Sequence, residues 1–289
     1  MALKVFRDDR RSEGFSFWGN DKDAQILRLG YVKPEVITWS PRIIVLHNFL
    51  SLEECDYLRA LAKPRLKVST VVDAKTGKYI ISLLTSMKGC SLDSESWLLT
   101  IKHPSCFLVK NGVHAAWSKT NEDHTLNGVK SNVRTSTGMF LNHEERKFPI
   151  IQAIEKRIAV YSQVPVEHGE LIQVLRYEKS EFYKPHNDYF SDSFNIKKGG
   201  QRVATMLMYL SDNVEGGETY FPLAGTGECS CGGKTVKGVS VKPKKGDAVL
   251  FWSMGLDGQS DPNSLHGGCE VLSGVKWSAT KWMRQKPAN

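Results

Sequence analysis

The chain has 289 residues, 40% hydrophobic and 24% charged, which excludes a disordered chain and leaves one large globular domain or two modest ones. The net charge is +8, yet the basic residues are scattered in short pairs such as Lys197-Lys198 and Lys244-Lys245. With no polybasic run and no recognition motif, a nucleic-acid binder is not indicated, and the excess charge reads as a solvated surface.

The opening stretch, MALKVFRDDRRSEGFSFWGN, has neither a signal-peptide pattern nor an apolar run of spanning length, so residues 1–32 read as an N-terminal segment without an anchor. SLEECDYLRALAKP predicts a helix. Ser51 and Glu54 have capping-box spacing, Leu52, Cys55, Leu58 and Leu61 form an apolar stripe, and Pro64 ends it. Residues 79–127 have no clear period. They hold Cys90, Cys106 and three of the eight histidines, and a loop of that length inside a compact domain is unusual. A second helix is expected from Pro149, with Ile150, Ile154, Ile158 and Tyr161 along one face and Pro165 beyond its end. From Glu170 the pattern turns to short strands, from ELIQVLRY through FYKPHNDYF and RVATMLMYL to KWSATKWMR. Turn signals such as VEGGE, GTGECSCGG and KPKKGD separate them. About eight strands at this spacing predict a sandwich or jelly roll with helices packed outside. Of the six cysteines, Cys229, Cys231 and Cys269 lie in glycine-rich, turn-like sequence, which suits bridging in an oxidising compartment. A structural zinc site at these three is a weaker alternative, because their spacing matches no strong zinc pattern.

One constellation points to chemistry. On a strand, residues i and i+2 face the same way, so His186 and Asp188 in YKPHNDYF would project together. Taken alone the pair reads equally as surface polarity on an edge strand, where Pro185 would be tolerated. His266, in SLHGGCE, is the candidate third ligand. Two histidines and one carboxylate form the facial triad of non-haem Fe(II) oxygenases, although a zinc hydrolase could use similar groups. Lys276 follows ten residues later, between Val275 and Trp277. If it faces the core it needs an anionic partner, which a dicarboxylate cosubstrate would supply.

VLRYEKSEFYKPHNDYF, GGQRVATMLMYLSDNVEGGETYFP, KPKKGDAVLFWSM and SLHGGCEVLSGVKWSATKWMR resemble the catalytic domains of prolyl 4-hydroxylases, most nearly the plant-type single-chain members. The resemblance covers roughly residues 33–78 and 128–286. It implies an α+β, mainly β fold, with a double-stranded β-helix (jelly roll) core and flanking N-terminal helices. It also implies an Fe(II)/2-oxoglutarate dioxygenase domain over 33–286, using O2 and L-ascorbate to hydroxylate C4 of peptidyl proline. His186, Asp188 and His266 match the iron ligands, and Lys276 the residue that binds the far carboxylate of 2-oxoglutarate. Tyr177 and Thr219 match further contacts to that cosubstrate. Tyr183, Arg202 and Trp282 resemble the lining of the peptide groove, and Arg134–Phe140 the loop that closes over it. Family members act on proline-rich chains, which are stiff polyproline II helices suited to aromatic grooves. They are anchored in the endoplasmic reticulum and Golgi, and this chain is expected to act as a monomer.

Two departures stand out. Relatives run from TGK directly into GVKS, whereas here 49 residues, 79–127, separate them, either as an insertion or as retained non-coding sequence. No N-terminal anchor is seen either. Two other readings therefore remain: a peptide-binding isoform impaired by the insertion, or an oxygenase of the same fold with another substrate.

Overall fold

The computed structural model describes residues 21–72, 79–81 and 133–288. The chain divides into two compact units. One comprises the described residues up to Ser69 and from Val133 onward. Of the other, residues 70–132, a single antiparallel pair is described, β4 (Thr70–Val72) with β5 (Tyr79–Ile81). Nearly all of the expected insertion, with Cys90 and Cys106, lies outside the described residues.

The larger unit begins with α1 (Lys22–Leu27), capped by the Asp21 side chain, and the first hairpin, β1 (Lys33–Trp39) and β2 (Arg42–His47). Helix α2 (Leu52–Ala62) has the expected capping box. The Glu54 amide donates to Ser51 Oγ at 3.1 Å, and the Ser51 amide donates to Glu54 Oε2 at 2.8 Å. Helix α3 (Pro149–Ser162) starts at the expected proline. Its buried face is turned from the prediction: Ile151, Ile154 and Ile158 are buried, while Ile150 and Tyr161 are half-buried. On α2 likewise Cys55, Leu58 and Ala62 face inward and Leu52 is exposed. Glu54 also takes the fork of the buried Arg157 at 2.8 and 2.9 Å, which fastens the two helices together.

The remaining strands of the scaffold are β3 (Lys67–Val68), β6 (Thr137–Phe140), β7 (Gln173–Tyr177), β9 (Arg202–Tyr209), β15 (Ala248–Trp252) and β18 (Lys276–Arg284). With β1 and β2 they form an eight-stranded antiparallel sheet in the order β1-β2-β15-β9-β18-β7-β6-β3. A second, four-stranded sheet is ordered β14-β11-β16-β8, from β8 (Tyr183–His186), β11 (Thr219–Phe221), β14 (Val239–Val241) and β16 (His266–Gly268). The chain is thus mainly β, with a jelly-roll core and flanking helices. Alternation divides the large sheet. Ala204, Met206, Met208, Ala248, Leu250, Ala279 and Met283 share the helix-side core with Cys55, Leu58, Ile151, Ile154 and Ile158. Ile43, Val45, Tyr209, Val249 and Phe251 meet Phe221 of the small sheet on the other face.

Several expectations change. Four strands of the large sheet precede residue 170, where none was predicted. β2 is packed on both faces and so shows no period of two, and β1 is an edge strand with little burial. Part of the predicted turn GTGECSCGG is strand β12 (Glu228–Cys231), in a hairpin with β13 (Lys234–Lys237). Arg134–Phe140 is not a free loop: β6 occupies its second half, and the Thr135 amide donates to the Phe182 carbonyl at 3.1 Å. Cys231 and Cys269 form a disulfide, which overturns the zinc alternative and leaves Cys229 as a free thiol. Among the described residues, no helix is long and apolar enough to cross a membrane.

Candidate active site

The site lies between the two sheets, where β8 and β16 of the small sheet face β9, β7 and β18 of the large one. His186 and His266 are register partners across β8 and β16, with ring centroids 4.4 Å apart. Gly267 allows this approach, since a Cβ there would lie 2.9 Å from the Tyr183 carbonyl oxygen. Asp188 is not on the strand, as the period-two reading required. β8 ends at His186, the chain bends, and the carboxylate crosses to the large sheet, where Thr205 Oγ1 donates to Oδ2 at 2.6 Å. The ligand atoms of His186, Asp188 and His266 all lie within 4.8 Å of one another. His186 Nε2 is 3.8 Å from Oδ1 of Asp188, and His266 Nε2 is 3.6 Å from Oδ2.

The surroundings prepare these groups for a cation. Nδ1 of His186 lies 2.9 Å from the Lys184 carbonyl and Nδ1 of His266 lies 2.9 Å from the Ser264 carbonyl. A carbonyl accepts only from N–H, so each ring carries a proton on Nδ1 and points Nε2 inward. Burial and neighbouring His266 hold the His186 imidazolium well below its ordinary range, so the ring is neutral. Burial opposes ionisation of Asp188, but His266, Arg202, His186 and the Thr205 hydroxyl outweigh it and keep the carboxylate charged. Two imidazoles and one carboxylate, on one side of a shared centre, can hold a divalent metal with positions left open.

Lys276 opens β18, opposite Tyr177 of β7, and is buried in the same cavity. It makes no ion pair or hydrogen bond among the described residues. Its Nζ lies 5.3 Å from the Tyr177 ring centroid. Burial pushes the ammonium down to about 8, partly offset by Glu218. A buried cation with aromatic walls and no ion pair among the described residues is a fitting end for an anionic ligand. Thr219 lines the cavity too, its hydroxyl 2.7 Å from the Tyr209 hydroxyl.

The other expected residues gather around the mouth. The Tyr183 ring stacks on His186 at 3.7 Å between centroids, and the Arg134 guanidinium lies 4.7 Å from the Tyr183 ring. Trp282 lines the cavity, and Arg202 stacks on it at 4.0 Å with Nη1 3.7 Å from Asp188 Oδ1. Arg202 reaches this face through a bulge. The β9–β18 register shifts between the Ala204–Met283 and Arg202–Arg284 pairs, so Arg202 lands on the same face as Thr205.

Three residues went unrecognised in the sequence: Thr205, which holds Asp188; Tyr209, which holds Thr219; and Glu170, which takes Arg202 through both carboxylate oxygens at 2.8 Å and Arg284 at 2.8 Å. Thr205 and Tyr209 share one face of RVATMLMY, so alternation along β9 was the signal available for them. Glu170 had none, since it precedes β7 and meets its partners through tertiary packing alone. Of the histidines outside the site, His47 bridges Glu35 and Asp247 at 2.8 and 2.7 Å, a structural role. His103, His114 and His124 lie outside the described residues.

Residues 172–284 match the model of the 2OG-Fe(II) oxygenase superfamily. Prolyl 4-hydroxylase 1 of Arabidopsis thaliana is 65% identical over 271 residues, covering 94% of this chain and 78% of that protein. Probable prolyl 4-hydroxylase 3 of the same plant is 48% identical over 257 residues, covering 86% and 71%. Among solved structures, the viral collagen prolyl hydroxylase vCPH of Paramecium bursaria Chlorella virus-1 aligns over 89% of this chain and 97% of that one, with 21% identity and a TM-score of 0.46. By the extent and identity of its match to the plant enzymes, the chain belongs to the plant-type prolyl 4-hydroxylase family of 2OG-Fe(II) oxygenases.

Proposed function

We propose that the protein is an Fe(II)- and 2-oxoglutarate-dependent dioxygenase that hydroxylates C4 of proline in proline-rich peptides and converts 2-oxoglutarate to succinate. The observation that carries this is the convergence of His186, Asp188 and His266 in one cavity with the buried Lys276, which has no ion pair among the described residues. The bound Fe(II), with 2-oxoglutarate and O2, would supply the oxidising power to attack an unactivated C–H bond. The protein's part is placement. His186, Asp188 and His266 would hold the metal, with Thr205 orienting the carboxylate. Lys276 would take the distal carboxylate of 2-oxoglutarate, with Tyr177 and Thr219 beside it. Tyr183, Arg202, Trp282 and Arg134 would receive the peptide, with Glu170 fixing Arg202.

The reading extends to L-ascorbate as the reductant that restores Fe(II), to a monomeric enzyme, and to residence in the endoplasmic reticulum or Golgi. The Cys231–Cys269 disulfide supports an oxidising compartment. Residues 33–286 would form the catalytic domain and 79–127 an insertion within it.

The test is succinate release by purified protein given Fe(II), 2-oxoglutarate, ascorbate and a poly-proline peptide, with and without residues 79–127. Peptide-dependent succinate from both forms is the expected result and makes the insertion passive. Decarboxylation that ignores peptide in the full chain but responds to it in the shortened one identifies an impaired isoform. No succinate from either form, with His186→Ala no different from the parent, would sink the hydroxylase reading.

A further inference from the structure

Phe140 closes β6 just outside the cavity, 50% exposed, and Gly138 is its neighbour on the same strand face. That glycine packs tightly, since a Cβ there would lie 2.6 Å from Leu175 Cδ2. β6 therefore presents one bulky side chain to the mouth of the site. The Phe140 ring centroid lies 6.3 Å from that of Trp282. Behind Trp282 the stacking continues through Arg202 at 4.0 Å to Phe190 at 4.7 Å and on to Arg284, also 4.7 Å from the Phe190 ring. Glu170 locks both arginines. Trp282 is thus immobilised from behind, and Phe140 is the open end of the series. Trp39, also exposed, stands on the edge strand β1 at the other side of the large sheet and shares none of this.

We propose that Phe140 is a specificity-determining residue, a platform for a second proline ring of the peptide beside the one that meets Trp282. The inference rests on the proline-directed reading above. Polyproline II advances about 3.1 Å per residue. Three residues complete a turn, so the Phe140–Trp282 separation falls within one turn, and the preferred flank is a proline within three positions of the residue at Trp282. The half-wet ring would gain apolar cover when that proline docks.

The experiment compares KM for a single-target, proline-rich peptide with KM for variants in which each flanking proline is replaced in turn by alanine. The parent, Phe140→Ala and Phe140→Trp are assayed together, with thermal midpoints as a folding control. In the parent one flank variant should raise KM by roughly 2- to 12-fold, the range of aromatic stacking. Phe140→Ala should raise KM for the intact peptide by a similar factor and lose all discrimination at that flank, with kcat and KM for 2-oxoglutarate within about twofold of the parent. Phe140→Trp should restore discrimination. A Phe140→Ala enzyme that still discriminates, or a parent with no flank preference, overturns the role of Phe140 alone. A parent that turns over no proline peptide strikes the proposed function itself, and this inference with it.

Discussion

The Thr205 hydroxyl lines the cavity and, by donating to Asp188, sets where that carboxylate points. Thr205→Val keeps the shape and removes the hydrogen bond. Metal affinity, titrated with Fe(II) or Co(II), is expected to fall about 10- to 100-fold; unchanged affinity would show that Asp188 is held by other means. Lys276 makes a prediction about pH. Its folded pKa, about 8, lies below the ordinary 10.5, so burial disfavours the charged form. The ligand-free protein should therefore gain stability as pH rises from about 8 towards 10.5, because the unfolded chain binds the extra proton there. Binding of a dicarboxylate needs the charged form, so affinity for 2-oxoglutarate should decline above pH 8, by up to about tenfold per unit. A flat binding profile between pH 7 and 9.5 would contradict it. Lys276→Met should weaken 2-oxoglutarate binding severely while raising the melting temperature, since it removes a buried cation.

At the scale of elements, α3 and the large sheet are joined by a buried charge cluster. Lys281 of β18 hydrogen-bonds Glu155 of α3, and Arg146 donates to the same carboxylate at 2.7 Å. Both Lys281 and Glu155 are nearly inaccessible. Glu155→Gln strands two cations on one amide and should cost about 3–5 kcal/mol, read from denaturant midpoints. A loss under 1 kcal/mol would mean that water relieves the site. β18 was legible in the sequence because Lys276–Thr280 alternates polar with apolar and the strand is bounded by Gly274 and by Gln285 onward, although the alternation breaks at Lys281 and Trp282. The capping box of α2 was legible because it is local. β1, β2 and β6 were not. β2 is apolar on both faces, β1 has little burial, and β6 is too short to display a period. In the site, the three metal-ligand candidates named from the sequence do come together, their ligand atoms within 4.8 Å of one another. Asp188 joins the two histidines by a route that strand parity did not foresee, because sequence spacing does not reveal a turn that carries a carboxylate from one sheet to the other. Glu170 was missed because its meaning lies wholly in the partners that folding brings to it.

Over the whole molecule, the Cys231–Cys269 disulfide closes a loop spanning 38 residues and ties the β12–β13 hairpin to the chain just beyond His266. Glu218, buried between them, accepts from the Gly232 amide at 3.0 Å. Loop closure of this length is worth about 4 kcal/mol in the chain-entropy model. Cys231→Ser with Cys269→Ser should lower stability by up to that amount and raise amide exchange in the hairpin while the helix-side core stays protected. Uniform loss of protection would show that the bridge holds the whole fold rather than one edge.

β18 also constrains how this gene can change. One face of the strand carries Lys276, Ser278, Thr280 and Trp282 towards the cavity, and the other carries Trp277, Ala279, Lys281 and Met283 towards the helices. The strand behaves like a reading frame with a step of two. A single-codon insertion or deletion between Leu272 and Val275 would exchange the faces, turning Trp277 into the cavity and Lys276 into the helix core. The turn has no slack to absorb it: Gly274 sits at φ +78°, and a Cβ there would lie 2.2 Å from the Asn213 carbonyl oxygen. Substitutions along this strand can be graded in their damage, but length changes before it are all-or-none, so natural variation in length belongs in other loops.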